Sequence, residues 1–207
     1  MRQHVSENCS SRTKICAILR YMGSVTARTT HRIASATAGL AILAVLTGSA
    51  GGGYAQGQPG TIFISSPAFP DGAPIPKQYA CRELGGQEIP PPLAWSALPG
   101  AGELALVMDD LDAGEFVHWI VIGIDPAPGI TAPGQTPTGG SLLPNGNGDI
   151  GYRGPCPPAG TGTHHYRFSL YEVPADFGFP GGGGQQAAQA IAQAATAMAQ
   201  YSGTFVR

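Results

Sequence analysis

LALVMDDLDAGEFVHWIVIGI, Leu104–Ile124, is the stretch whose reading decides the fold. Its first five residues form a continuous apolar run, which reads as a strand buried on both faces. FVHWIVIGI (116–124) reads the same way, and its length and β-branched content favour strand over helix. Three acids, Asp109, Asp110 and Asp112, follow the first strand, and a histidine comes back a few residues later. A strand–loop–strand of that length can return His118 beside the acids. An aspartate accepting from one ring nitrogen would fix the imidazole tautomer and favour its charged form. The other nitrogen is then a donor for an anion. Alternation places His118 on one face with Phe116, Ile120 and Ile122, where a lone histidine is more often a satisfied core residue than a ligand.

Outward from this stretch the pattern is short strands between Pro/Gly punctuation. TIFIS (61–65), PPLAW (91–95), HYRFSLYEV (165–173) and the closing GTFVR read as strands or lead into them. Residues 125–151 are mostly loop, and a connection that long is usually functional or mobile. QQAAQAIAQAATAMAQ (185–200) has strong helix formers and a single Thr, so it predicts a helix. Ile191, Ala194, Ala195 and Met198 recur on one face of it, which puts Met198 in the core. Many strands and one clear helix predict a mostly β, sandwich-like domain.

The first 55 residues differ from the rest. They hold six of the eleven Lys and Arg residues and one acid, followed by an apolar, small-residue stretch ending at Ala55. That is the pattern of a secretory signal peptide over 1–55, with cleavage expected after Ala55, Ala50 as the alternative site, and Met22 as an alternative start. The apolar core is short and broken by glycines, against about 20 apolar residues for a membrane span. No cysteine follows it, so a lipoprotein anchor is not expected. The remaining domain, 56–207, carries five basic residues against twelve acids, net −7, and no basic cluster. Nucleic acid is therefore a poor partner, because phosphate-backbone affinity comes mainly from Lys and Arg. Cys81 and Cys156 remain in an exported chain, where a disulfide is reasonable and two unpaired buried thiols are the alternative.

RGPCPPAGTGTHHYRF (153–168) sets a histidine pair at the end of a proline–glycine loop. Residues two apart in a strand share a face, so His164, Tyr166 and Phe168 point one way and His165 and Arg167 the other. One histidine of the pair faces a pocket. A metal site is a second reading, since His118, His164, an Asp and Cys156 are acceptable zinc ligand types, but the spacings match no compact motif. A hydrolase is a third, without a G-x-S-x-G, H-E-x-x-H or P-loop to support it.

The chain resembles the phosphatidylethanolamine-binding protein family in its bacterial Raf-kinase-inhibitor-like branch. The resemblance rests on FPDGAPIPKQYAC, PPPLAWSALPG, LALVMDDLDAGEFVHWIVIGI, NGNGDIGYRGPCPPAGTGTHHYRFSLYEV and AMAQYSGTFVR, in family order over nearly all of 61–207. It implies an antiparallel β-sandwich with small peripheral helices, one of them C-terminal, and a small anion pocket at one surface. By motif match, Asp110 and Asp112 take the family's paired acids, and His118 its His-Trp strand. Gly154, Pro157 and Pro158 lie in its Gly-Pro-Cys-Pro-Pro turn, and His164 and Tyr166 match its His-Arg-Tyr start. Leu111 and Gly114 replace two prolines, Gly123 stands where an asparagine is usual, and His165 where an arginine is usual. The implied protein is a non-enzymatic binder of phosphate-like or carboxylate groups, including phosphoethanolamine head groups, with no cofactor. Regulation of a protein partner such as an extracytoplasmic protease is implied too, with 125–151 the place to look for the contact.

Overall fold

The computed structural model describes residues 61–207; the expected signal peptide and its cleavage site lie outside the described residues. In chain order the strands are β1 (Phe63–Ser65), β2 (Ala94–Ser96), β3 (Glu103–Asp110), β4 (Phe116–Ile124), β5 (Gly129–Ile130), β6 (Ser141–Leu142), β7 (Thr163–Val173) and β8 (Ala197–Val206). The helix α1 (Gly184–Ala194) lies between the last two. They form two antiparallel sheets, β1-β2-β5 and β6-β4-β3-β7-β8. The mostly β architecture with two antiparallel sheets is as the sequence predicts.

The apolar run of β3 is explained by what covers each side. Leu104, Leu106 and Met108 pack with Ile64, Trp95, Trp119 and Phe168 in the main core. Ala105 and Val107 face the other way and pack with Ala187 and Ile191 of α1. A strand covered on both faces has no solvent side on which polar residues would alternate. Ile191 is fully buried, a contribution of about 1.5–3 kcal/mol.

Two expectations are corrected. The helix ends at Ala194 rather than continuing to residue 200, because Ala195 turns to φ −64°, ψ 133°. Thr196 then donates its N–H to Glu172 O at 2.8 Å, and β8 runs beside β7 from Ala197 onward. Helix propensity differs by only about 0.7 kcal/mol among ordinary residues, too little to oppose a ladder of this length. Met198 is consequently 49% exposed on a strand and not a core residue.

The second correction concerns the face of His118. Met108 pairs with Trp119 but Asp109 with Val117, so His118 is the extra residue of a β-bulge. A bulge resets the alternation. Trp119 and Val121 join the main core, whereas Ile120 packs toward α1. The His118 ring meets Phe116 (centroids 5.0 Å apart) and Tyr166 (5.2 Å), both edge-on. A second irregularity lies near Gly123, whose φ of +70° suits Gly and tolerates Asn, consistent with the exchange of those two residues there.

Candidate anion site

The site forms where the ends of β3, β4 and β7 meet the 143–162 connection. Asp110, the last residue of β3, pairs in register with Tyr166 of β7, two residues beyond His164. Asp110 Oδ2 lies 2.7 Å from His164 Nδ1, and both side chains are about 95% buried or more, at 4% and 5% exposure. The other oxygen of Asp110 accepts the Asp112 N–H at 3.0 Å, which caps the short 3-10 turn Leu111–Ala113. His164 Nε2 is 2.9 Å from Thr161 Oγ1, which in turn lies 2.9 Å from Pro158 O. Both ring nitrogens of His164 are thus held within the protein. Asp109, the neighbouring acid, pairs with Arg167 on the opposite face.

His118 Nδ1 sits 2.9 Å from the carbonyl oxygen of Arg153. A carbonyl only accepts, so Nδ1 carries the proton. Burial, the largest effect, holds the ring's pKa below the ordinary histidine value; the Arg153 carbonyl bond and Asp110 oppose this, and the Arg153 and His164 charges add to it. The ring is therefore neutral at pH 7, with a lone pair on Nε2, and that atom has no hydrogen-bond partner among the described residues. The Tyr166 hydroxyl is buried with no partner at hydrogen-bond geometry. Its pKa is pushed far above the usual range, first by burial and then by the charge of Asp110, so it stays un-ionised.

A cavity of about 220 Å³ opens at this point. Of the residues singled out by sequence, Asp110, His118, His164, Pro157 and Pro158 line it. Phe116, Asn147, Arg153 and Cys156 line it as well. Phe116 was accessible to sequence reasoning, being two residues before His118; Asn147 and Arg153 arrive through a loop whose path no local pattern dictates.

Three expected residues do not line it. Asp112 faces outward, accepting from His165 N at 2.7 Å and Nδ1 at 2.9 Å, contacts that lower its pKa. His165 thus finds its own acid at the position where the resemblance implies an arginine. Gly154 is a close-approach position: a Cβ there would lie 2.5 Å from the Ala80 carbonyl carbon. Tyr166 stands behind the cavity wall against His118.

The proline turn is tied to the segment Tyr79–Glu88. Cys81 and Cys156 form a disulfide. Cys81 N–H donates to Pro155 O at 3.0 Å, Tyr152 Oη donates to Tyr79 O at 2.9 Å, and Arg153 pairs with Glu83 at 3.0 Å and Glu88 at 2.9 Å. Among the described residues, the one close group of three metal-ligand types is Cys81, Glu83 and Cys156. Its sulfurs are bonded to each other and offer no thiolate, and the group does not include His118 or His164. A larger cavity of about 630 Å³ beside β1 and β8 is walled mainly by apolar residues such as Phe63, Phe69 and Tyr201, without a convergence of titratable groups.

Residues 65–206 match the family described as phosphatidylethanolamine-binding protein, and the chain belongs to that family. It is 51% identical over 201 residues to a Mycobacterium tuberculosis protein with the provisional name lipoprotein LppC, covering 86% of this chain and 98% of that one. The crystal structure of CT736 from Chlamydia trachomatis, provisionally described as a homologue of phosphatidylethanolamine-binding protein, is 32% identical, with a TM-score of 0.57 over 70% of this chain and 96% of that one. E. coli YbcL, described as a member of the mammalian family, shares the fold at a TM-score of 0.63 and 22% identity, covering 70% of this chain and 98% of that one. No helix among the described residues is long and apolar enough to cross a membrane.

Proposed function

We propose that this is an exported binding protein whose 220 Å³ cavity holds a phosphate-like group, such as phosphate or a phosphoethanolamine head group. The observation that carries the reading is the convergence of His164 of β7 with Asp110 of β3 and His118 of β4 on one small cavity walled by the Pro157–Pro158 turn. The volume suits a single small oxyanion. Export is supported by the signal-like segment 1–55, by a disulfide of the kind that persists in oxidising compartments, and by the lipoprotein name of the mycobacterial relative.

The reading predicts a pH dependence. An oxyanion can meet the neutral His118 ring edge only with a proton between them, supplied by the ring or by the ligand. Once both are deprotonated in the free state, the complex binds one proton more than its parts. The affinity for a phosphomonoester, whose dianion keeps no P–O–H, then falls as pH rises, by up to about tenfold per unit for one coupled proton. Calorimetric titration with phosphoethanolamine, whose second ionisation lies near pH 6, from pH 5 to pH 8 checks this. Affinity that is flat across the range removes the reading.

A further inference from the structure

We infer that the groove at the end of β8 is a second binding site, separate from the anion cavity, and that it takes a medium-chain alkyl carboxylate, the anion of a free fatty acid. The groove forms where the edge of the larger sheet loses its cover. β8 is the last strand of that sheet. Ile75 N–H donates to Thr204 O at 2.7 Å and Thr204 N–H to Ala73 O at 3.0 Å, which covers the outer edge of β8 as far as Thr204. Pro76 then leads into two short 3-10 turns, Lys77–Tyr79 and Arg82–Leu84, while β8 runs on to Val206. A cavity of about 320 Å³ lies between these turns and the strand end.

Its walls are apolar and its rim is positive. Ile75, Leu84, Phe205 and Val206 supply the walls, and Val206 is 59% exposed, leaving apolar surface for a ligand's chain to cover. The volume lies within the range of small-molecule pockets. Two cations, Lys77 and Arg207, line the same groove, and no acidic side chain does. The other three basic residues of 61–207 are paired: Arg82 with Glu88 at 3.7 Å, Arg153 with Glu83 and Glu88, and Arg167 with Asp109 and Glu115. Lys77 and Arg207 have no acid within ion-pair distance among the described residues.

In a domain where acids outnumber bases, the two unpaired cations thus meet at one apolar groove, and that arrangement is complementary to an anion with a tail. The Lys77 side chain lies along the turn at Gly85, where a Cβ would come within 3.4 Å of its Cε and 3.5 Å of its Nζ. Its ammonium therefore sits at the Leu84 end of the groove. A guanidinium takes a carboxylate through paired N–H groups, and an ammonium takes it as a point charge. An inorganic anion would leave the apolar walls wet. An alkylamine would cover the walls and set a third cation beside Lys77 and Arg207. An alkyl carboxylate satisfies both the walls and the rim.

The test is isothermal titration calorimetry of the purified protein at pH 7 with butanoate, octanoate, decanoate and decylamine, each below its micelle concentration. Decanoate binds more tightly than octanoate and butanoate is weakest, with roughly threefold gained per methylene that reaches the walls. Decylamine, with the same tail and the opposite charge, binds at least tenfold more weakly than decanoate. Lys77→Gln/Arg207→Gln lowers decanoate affinity about tenfold, roughly threefold for each exposed ion pair, and leaves the phosphoethanolamine titration unchanged. Methyl NMR of the wild type locates the ligand independently of the variant, with decanoate shifting Ile75, Leu84 and Val206. No carboxylate binding, affinity independent of chain length, decylamine binding as tightly as decanoate, or shifts that leave those three methyl groups unmoved overturns the inference. Each of these outcomes leaves the phosphate reading of the other cavity standing.

Discussion

Asp110→Ala is expected to cost about 3–5 kcal/mol of folding free energy, the range for removing one partner of a buried ion pair. The carboxylate sits at 4% exposure between His164 Nδ1 and the Asp112 N–H, and alanine leaves both without a partner. Asp110→Asn is expected to cost much less. Its carbonyl oxygen can still accept from Asp112, while its amide N–H faces the ring. His164 then gives up its Nδ1 proton and accepts there, while Nε2 goes on donating to Thr161 Oγ1, whose own proton stays on Pro158 O. Urea unfolding of the two variants measures the difference, and ring-nitrogen NMR shifts of His164 report the tautomer. Equal losses for Ala and Asn would show that the charge matters and the hydrogen-bond chain does not.

Opening the Cys81–Cys156 disulfide is the second large effect. The bond spans 75 residues, and chain entropy alone gives about 4 kcal/mol as an upper figure for a loop of that length. Phosphate affinity is expected to change little, although Cys156 lines the cavity. The proline turn stays tied through the Cys81–Pro155 and Tyr152–Tyr79 bonds and the Arg153 pairs. Cys81→Ala/Cys156→Ala should thus show a lower urea midpoint beside a nearly unchanged phosphate titration under native conditions. An unchanged midpoint contradicts the stabilising role, and lost binding in folded protein contradicts the redundancy of the ties.

Local pattern was legible where one rule acted alone. β3 reads as a doubly covered strand from its apolar run, and β4 has the bounds its sequence suggests. The fold family was legible through motifs spread along the chain, none of them decisive singly. What was not legible came from longer range. The Ala/Gln segment at 195–200 has helical propensity and becomes strand because β7 supplies a ladder. The bulge at His118 is invisible to a period-two reading, and it decides which side of the sheet the histidine serves. The donor role expected for the imidazoles was also not a local property. It is reversed at His118 by a carbonyl 35 residues away and removed at His164 by Thr161.

The most direct measurement is a crystal structure of the protein soaked in phosphate at pH 5. Phosphate is expected in the cavity between Phe116 and the Pro157–Pro158 turn, with one oxygen at hydrogen-bond distance from His118 Nε2. Asp110, His164 and Thr161 keep their mutual bonds. Phosphate seated elsewhere on the protein, with that cavity holding only water, would contradict it.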